Sequence, residues 1–143
     1  MIDWAHSDDV ARWVVRRIPH MAQDIEAIRP FVAAGVLVGG MPAAGVIFQN
    51  FMPMYRSIEI SCAAENPRWA SRGHLAELLT YAFVANDCER ITLLIPARNR
   101  RARRFNEGIG FVSEGTVRRG FGGDDAIIYG MLRDDAARWL KRS

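Results

Sequence analysis

The chain has 143 residues, of which half are hydrophobic and 24% are charged, and its formal net charge is +3. This composition excludes a disordered tail, and no apolar run approaches the roughly 20 residues that a membrane-spanning helix needs. The N-terminus also lacks the basic start and the apolar core of a signal peptide. We therefore expect one domain over residues 1–143, no membrane association and a cytoplasmic location.

The first third of the chain reads as two short helices. Ser7 is followed by two aspartates, which predicts a helix start with a capping hydroxyl and carboxylates at the positive end of the helix dipole. Pro19 ends this predicted helix. A second apolar stripe over residues 21–28 predicts another short helix, which the next proline closes.

Strand composition dominates the next part of the chain. Three β-branched or apolar runs, separated by Gly, Pro and Met, predict strands joined by hairpins. They cover residues 36–38, 45–51 and 58–63.

The second half alternates helices and strands. A loop-like stretch over residues 66–73 leads into a helical stripe from Leu75 to Phe83, and an apolar run at 91–95 predicts a buried strand. An Arg-rich helix, a hairpin and a terminal helix follow, at residues 99–110, 111–132 and 134–140. The helix between the third and fourth strands is a crossover, so these two strands should be parallel in an otherwise antiparallel sheet. The prediction is a mixed α+β fold.

The loop before the long helix is a candidate phosphate site. A helix start exposes unpaired backbone N–H groups and the positive end of the dipole, and both suit a phosphate. Arg68 and Arg72 would add charge-assisted hydrogen bonds. The alternative interpretation is an ordinary strand-to-helix turn with solvated arginines. The mild positive charge of the chain permits an anionic ligand without requiring nucleic acid.

The two cysteines, Cys62 and Cys88, belong to no CxxC motif and to no Cys/His cluster. Too few ligands lie at ligand spacing for a zinc site, so we expect no metal. Both cysteines are predicted to be buried small apolar residues.

The segment Asn99–Phe111 contains Asn-x-x-Ala, then an aromatic residue, then Gly-Phe closing the helix. This pattern resembles the C-terminal half of the GNAT acetyltransferases. The next stretch, Glu114 to Arg118 and residues 125–132, is similar to the Rim-type branch, which acetylates the N-termini of ribosomal proteins, and to small phage-borne members. The resemblance covers about residues 31–133. It implies a GNAT-like sheet with helices on both faces, and transfer of an acetyl group from acetyl-CoA to a primary amine.

The resemblance also implies a set of cofactor contacts, because the 66–73 loop lies where the superfamily has its pyrophosphate loop, Q/R-x-x-G-x-G/A. If Arg68 leads this motif, Ser71 stands at the first Gly position and Gly73 at the second. If Trp69 leads, the register moves by one, and both registers remain open. The implied contacts are Ala63, Arg68, Trp69, Ala70, Ser71, Arg72, Gly73, His74, Asn99, Ala102 and Phe105.

Catalysis in this superfamily is direct attack of a neutral amine on the thioester, which needs a general base or a chain of waters. Glu59 is the only carboxylate in the third strand and is the candidate base; the alternative is a carboxylate that faces solvent. Tyr129 is the candidate acid; the alternative is a hydroxyl at the sheet edge. Many members have a tyrosine acid where this chain has Asn106, which cannot protonate a thiolate.

The arginine run needs the same comparison. Residues 98, 100, 101, 103 and 104 are all arginine. They fit a solvated helix face better than a nucleic-acid reader, because no exposed aromatic residues are interleaved with them.

Three functions therefore remain: an N-acetyltransferase for a protein N-terminus, a lysine or a small amine; a non-catalytic GNAT-fold binding module; and a nucleic-acid-modifying member of the fold. The acceptor and a homodimeric state are left open.

Overall fold

The computed structural model describes residues 1–140. Seven strands and four α-helices make up the fold. The strands are β1 Ile2–Asp3, β2 Phe31–Val38, β3 Met41–Met52, β4 Ser57–Ala64, β5 Arg90–Pro96, β6 Val112–Val117 and β7 Ala126–Leu132. The helices are α1 Ser7–Val15, α2 Arg72–Thr80, α3 Arg100–Ile109 and α4 Ala137–Leu140. Short 3₁₀ turns occur at Ile25–Ile28, Pro53–Tyr55 and Pro67–Ala70, and a π-helical segment, Tyr81–Ala85, extends α2.

All seven strands form one sheet, in the order β1-β2-β3-β4-β5-β7-β6. Every neighbouring pair is antiparallel except β4 and β5, which are parallel because α2 crosses over between them. The predicted α+β fold, with one parallel pair in a mostly antiparallel sheet, is confirmed. Within residues 1–140, no helix is both long enough and apolar enough to cross a membrane.

The parallel pair is only half formed. Pairing runs from Ser57 opposite Arg90 to Ile60 opposite Leu93 and then stops. Both strands continue past this point, β4 to Ala64 and β5 to Pro96. The sheet therefore opens into a gap between the C-terminal ends of its two central strands.

Helices cover both faces of the sheet. The larger core lies under α2, α3 and α4, where Leu75, Leu78 and Trp139 pack with inward residues of six strands. The smaller core lies under α1, where Val14 packs against Ile47. Gly45 allows α1 to come this close, since a Cβ at that position would lie 2.5 Å from a methyl carbon of Val14.

Several predicted elements differ from the structure. Ser7 is not a cap; it lies inside α1, and its hydroxyl accepts the backbone N–H of Ala33 on β2 at 2.9 Å. The second predicted helix is only the short turn Ile25–Ile28. The side-chain amide of Gln23 donates to backbone carbonyls between α1 and this turn, and these hydrogen bonds hold the connecting segment as a loop. Strand β1 is too short to show periodicity, and it is held by pairing with β2.

Candidate functional site

The gap between β4 and β5 is the mouth of a cavity of about 840 Å³. This volume lies within the range of about 300–1,000 Å³ that is typical of small-molecule sites. The end of β4, the end of β5, and the facing sides of α2 and α3 form its walls. Three basic side chains also line it: Arg17, His20 and Arg101.

The cavity exposes strand backbone. Residues 61–64 pair with β3 on one side, from Ser61 opposite Ile47 to Ala64 opposite Ala44. On the other side, within residues 1–140, no strand pairs with them. Backbone N–H and C=O groups away from water need partners. An extended ligand that carries amide groups can supply those partners by lying along this edge.

Five of the predicted cofactor contacts line the cavity. They are Ala63, Trp69, Asn99, Ala102 and Phe105. The rings of Trp69 and Phe105 lie 5.6 Å apart between centroids and join α3 to the turn before α2. Asn99 caps α3, since its Oδ1 accepts the N–H of Ala102 at 3.2 Å. Their contact with a cofactor stays a prediction.

The remaining predicted contacts do not line the cavity; they are Arg68, Ala70, Ser71, Arg72, Gly73 and His74. Several of them build the start of α2 instead. Ser71 is its N-cap, and the Ser71 hydroxyl accepts the N–H of His74 at 3.2 Å. The ring Nδ1 of His74 lies 2.9 Å from the carbonyl oxygen of Trp69.

Arg72 is directed away from the cavity. Its guanidinium donates to the carbonyl of Arg138 at 3.0 Å and lies over the ring of Trp139. It thus ties the first turn of α2 to α4. This turn carries no acidic side chain that would repel a phosphate.

Glu59 lies one residue before the last paired level of β4 and β5, opposite Gln49 of β3 and Thr92 of β5. Asn50 donates to its Oε1 at 2.8 Å, and Gln49 Nε2 lies 3.4 Å from its Oε2. The same Gln49 amide donates to the hydroxyl of Ser61 at 3.2 Å. Ser61 lines the cavity, whereas Glu59 does not. The carboxylate is therefore connected to the cavity through one amide and one hydroxyl.

Tyr129 is fully buried on β7 and does not line the cavity. Its hydroxyl donates to Glu107 Oε2 at 2.6 Å and accepts from Arg103 Nε at 3.0 Å. Burial raises the pKa of Tyr129; Arg103 opposes this increase, and Glu107 adds to it. Both partners belong to α3, so the hydroxyl fastens that helix to the sheet. This arrangement argues against the predicted role of Tyr129 as an acid.

The structure adds residues that the sequence did not single out for the site. Arg17 and His20 reach the cavity from the segment after α1, and no local pattern predicts this. Cys62 lines the cavity and is only half-buried as a residue, in contrast to the fully buried Cys88. Burial of the thiol raises the pKa of Cys62 to about 12, so it is a neutral wall and not a nucleophile.

The arginine run of α3 does not form one surface. Arg101 lines the cavity, whereas Arg103 binds Tyr129 and the carbonyl of Ala97. Arg98 lies near Asp124, with 4.0 Å between the charged atoms. The interpretation of the run as a simple solvated face is therefore too coarse, because its members point in several directions.

Comparison with known proteins gives likeness in structure alone. No family model matches the chain, and no curated protein matches it in sequence. A T. thermophilus protein assigned as an acetyltransferase is 20% identical with a TM-score of 0.72, over 96% of this chain and 90% of that chain. Spermidine/spermine N-acetyltransferase SpeG from Vibrio cholerae is 16% identical with a TM-score of 0.75, over 99% of both chains. The comparisons do not test the likeness to the Rim-type or phage-borne branches. The chain has the fold of the GNAT acetyltransferases.

Proposed function

We propose that the protein is an N-acetyltransferase that moves an acetyl group from acetyl-CoA to a primary amine by direct attack. The observation that carries this proposal is the gap between β4 and β5. It presents unpaired strand backbone to an 840 Å³ cavity in a fold shared with acetyltransferases.

The residues around the cavity fit acetyl-CoA. The open edge of β4 after Ile60 would pair with the amides of the pantetheine arm, and the wall of Trp69 and Phe105 would cover its apolar part. The first turn of α2 offers backbone N–H groups without a competing carboxylate, as phosphates require. Arg101 adds positive charge at the cavity, whereas Arg17 is paired there with Glu65 at 2.7 Å.

When bound, acetyl-CoA supplies a thioester whose carbonyl carbon is open to attack. In the proposed reaction the amine nitrogen would form the new C–N bond, the C–S bond would break, and the leaving thiolate would take a proton from water. Glu59 accepts the proton that the amine loses, directly or through water next to Ser61. Asn106 lines the cavity and donates from Nδ2 to the carbonyl of Ala102, but a carboxamide is too weak an acid to protonate a thiolate.

An amine acceptor fits the polarity of the Glu59 cluster, which consists of Glu59, Gln49, Asn50 and Ser61. Glu59 offers two carboxylate oxygens, and the Gln49 amide directs its N–H groups inward to Glu59 and Ser61. A group rich in N–H donors therefore finds acceptors there. The likeness to spermidine/spermine N-acetyltransferase supports amines as a class and leaves the choice among peptides, lysines and polyamines to experiment.

Two measurements test the proposal. Titration calorimetry with acetyl-CoA measures cofactor binding. A thiol-release assay then measures transfer to a panel of N-terminal peptides, lysine peptides and aliphatic amines. Glu59→Gln should preserve binding and slow transfer by roughly 10²–10⁴-fold, the usual contribution of a general base. Failure to bind acetyl-CoA would overturn the proposal.

A non-catalytic module is the second candidate, and Asn106 in place of a tyrosine acid favours it. It predicts tight acetyl-CoA binding together with no thiol release for any amine in the panel. Binding without thiol release would favour the non-catalytic module over the acetyltransferase.

A further inference from the structure

Strand β3 is irregular at Gln49 and Asn50, directly beside Glu59. Its register with β4 shifts between Gln49 and Met52, and Asn50 adopts a left-handed backbone with φ of 50°. Consecutive side chains of a regular strand point to opposite faces. A bulge re-aims one of them. Here both amides, Gln49 and Asn50, reach the same carboxylate.

The burial of Gln49 in this arrangement is expected to cost stability. The residue is only 8% exposed, and its NH₂ group contacts Glu59 and Ser61. Because a carboxylate only accepts hydrogen bonds, the amide cannot be turned the other way without facing oxygen to oxygen. Its Oε1 is then buried, and no protein group in residues 1–140 donates to it. An apolar residue of the same size would avoid this penalty.

A buried polar atom without a partner calls for an explanation, and function is the one that fits its position. We propose that Gln49 and Asn50 form an amide clamp: two positioning residues that hold the Glu59 carboxylate in one orientation for the acceptor amine. This inference rests on the proposed function. Each amide holds one oxygen, so the clamp removes the side-chain rotation that an isolated glutamate would keep.

The clamp also defines the class of group that it receives. The amide N–H groups that bond to Glu59 and Ser61 are already used, and Gln49 Oε1 is buried, so the atoms left to a ligand are the carboxylate oxygens. These atoms accept hydrogen bonds. The cluster therefore suits a primary amine, which carries several N–H bonds, and disfavours a carboxylate or a carbonyl oxygen.

Asn50→Gly is a matched test of the clamp, because glycine keeps a positive φ without strain while the amide is lost. With n-butylamine as the acceptor probe, we expect kcat/KM for the amine to fall about tenfold, the loss of one hydrogen bond to a charged group. The KM for acetyl-CoA and the thermal midpoint should be unchanged. Gln49→Met should slow transfer similarly and leave the midpoint equal or higher.

The decisive control is the Glu59→Gln background. A clamp that acts through Glu59 should add little further loss there, so the double variants Asn50→Gly/Glu59→Gln and Gln49→Met/Glu59→Gln should match Glu59→Gln alone. Fully additive losses in kcat/KM would overturn the clamp, and so would a Gln49→Met protein with a lower thermal midpoint but normal transfer. Neither result would contradict the proposed acetyltransferase function. A wild-type protein that releases no thiol with any amine would instead overturn the proposed function, and the clamp with it.

Discussion

Replacing Tyr129 by Phe separates a structural role from a chemical one. The tyrosine hydroxyl is buried and joins β7 to two residues of α3, Glu107 and Arg103. Phenylalanine keeps the ring and leaves no large void, so the change removes only the hydroxyl contacts. We expect the variant to fold, to be less stable and to remain active.

The size of the loss follows from the partners. A hydrogen bond to a charged group contributes about 1.5–3 kcal/mol. Glu107 is exposed, so water can solvate its carboxylate in the variant, and we expect the free energy of unfolding to fall by about 1–2 kcal/mol. Arg103 keeps a second acceptor, the carbonyl of Ala97, and adds little. For a chain of this length the thermal midpoint should fall by roughly 3–8 °C.

The pH dependence gives an independent signature. Burial raises the pKa of Tyr129 above its usual value near 10, so the folded protein keeps a proton that the unfolded chain releases. The stability from the neutral phenol is complete below about pH 10 and is lost as the pH rises through the folded pKa. The Phe variant lacks this group, so its free energy of unfolding should fall less steeply in alkali.

Differential scanning calorimetry and the thiol-release assay make the measurements. Tyr55→Phe is the control, because Tyr55 is 73% exposed and its loss of a hydroxyl should change neither property. An unchanged midpoint together with a drop in kcat of a hundredfold or more, and the loss of a limb in the pH profile, would refute the structural reasoning. Tyr129 would then be the acid.

Three further predictions concern the cavity and the fold. Asn99→Ala should raise the KM for acetyl-CoA and lower the free energy of unfolding by about 0.5–2 kcal/mol, because the cap of α3 is lost. Asn99→Asp should restore the cap, so equal thermal midpoints for the two variants would contradict the capping role. In calorimetry, Arg101→Glu should weaken acetyl-CoA binding at least tenfold, and more than Arg72→Glu does, since of these two arginines Arg101 lines the cavity. A larger loss of affinity in Arg72→Glu would indicate that Arg72 contacts the phosphate. Gly45→Ala should cost about 1–3 kcal/mol in urea unfolding, because the new methyl meets Val14, and a neutral result would show that α1 shifts freely.

The parts of the fold that depend on local pattern could be predicted. The stripe from Leu75 to Phe83 predicts the crossover helix, and the crossover requires a parallel pair whatever the details of packing. Asparagine is a preferred N-cap residue, and Asn99 stands at the N-cap of α3. The point at which β4 and β5 separate is different, because it depends on how two strands distant in sequence twist apart. The cavity therefore could not be derived from spacing alone.

The side-chain partners were harder still to foresee. Ser7 looks like a cap in the sequence, yet the hydroxyl finds the N–H of Ala33, 26 residues away. Arg72 looks like a phosphate ligand, yet its guanidinium turns to α4. In both cases a local rule names a plausible partner, and the fold brings a second partner within reach. Local rules weigh only what is near in sequence, so they cannot rank the two.

Glu59 shows where such a failure is informative. In β4, Glu59 and Ser61 lie on one face, as strand alternation requires, since the single amide of Gln49 contacts both. Applied to β3, the same alternation would send Gln49 and Asn50 to opposite faces. The bulge brings both to the carboxylate, at the cost of a left-handed asparagine and a buried oxygen without a donor. Sequences are locally consistent with their folds except where function requires otherwise. Two such departures on adjacent residues, both directed at the one carboxylate beside the cavity, are therefore a reason to look for the chemistry at Glu59.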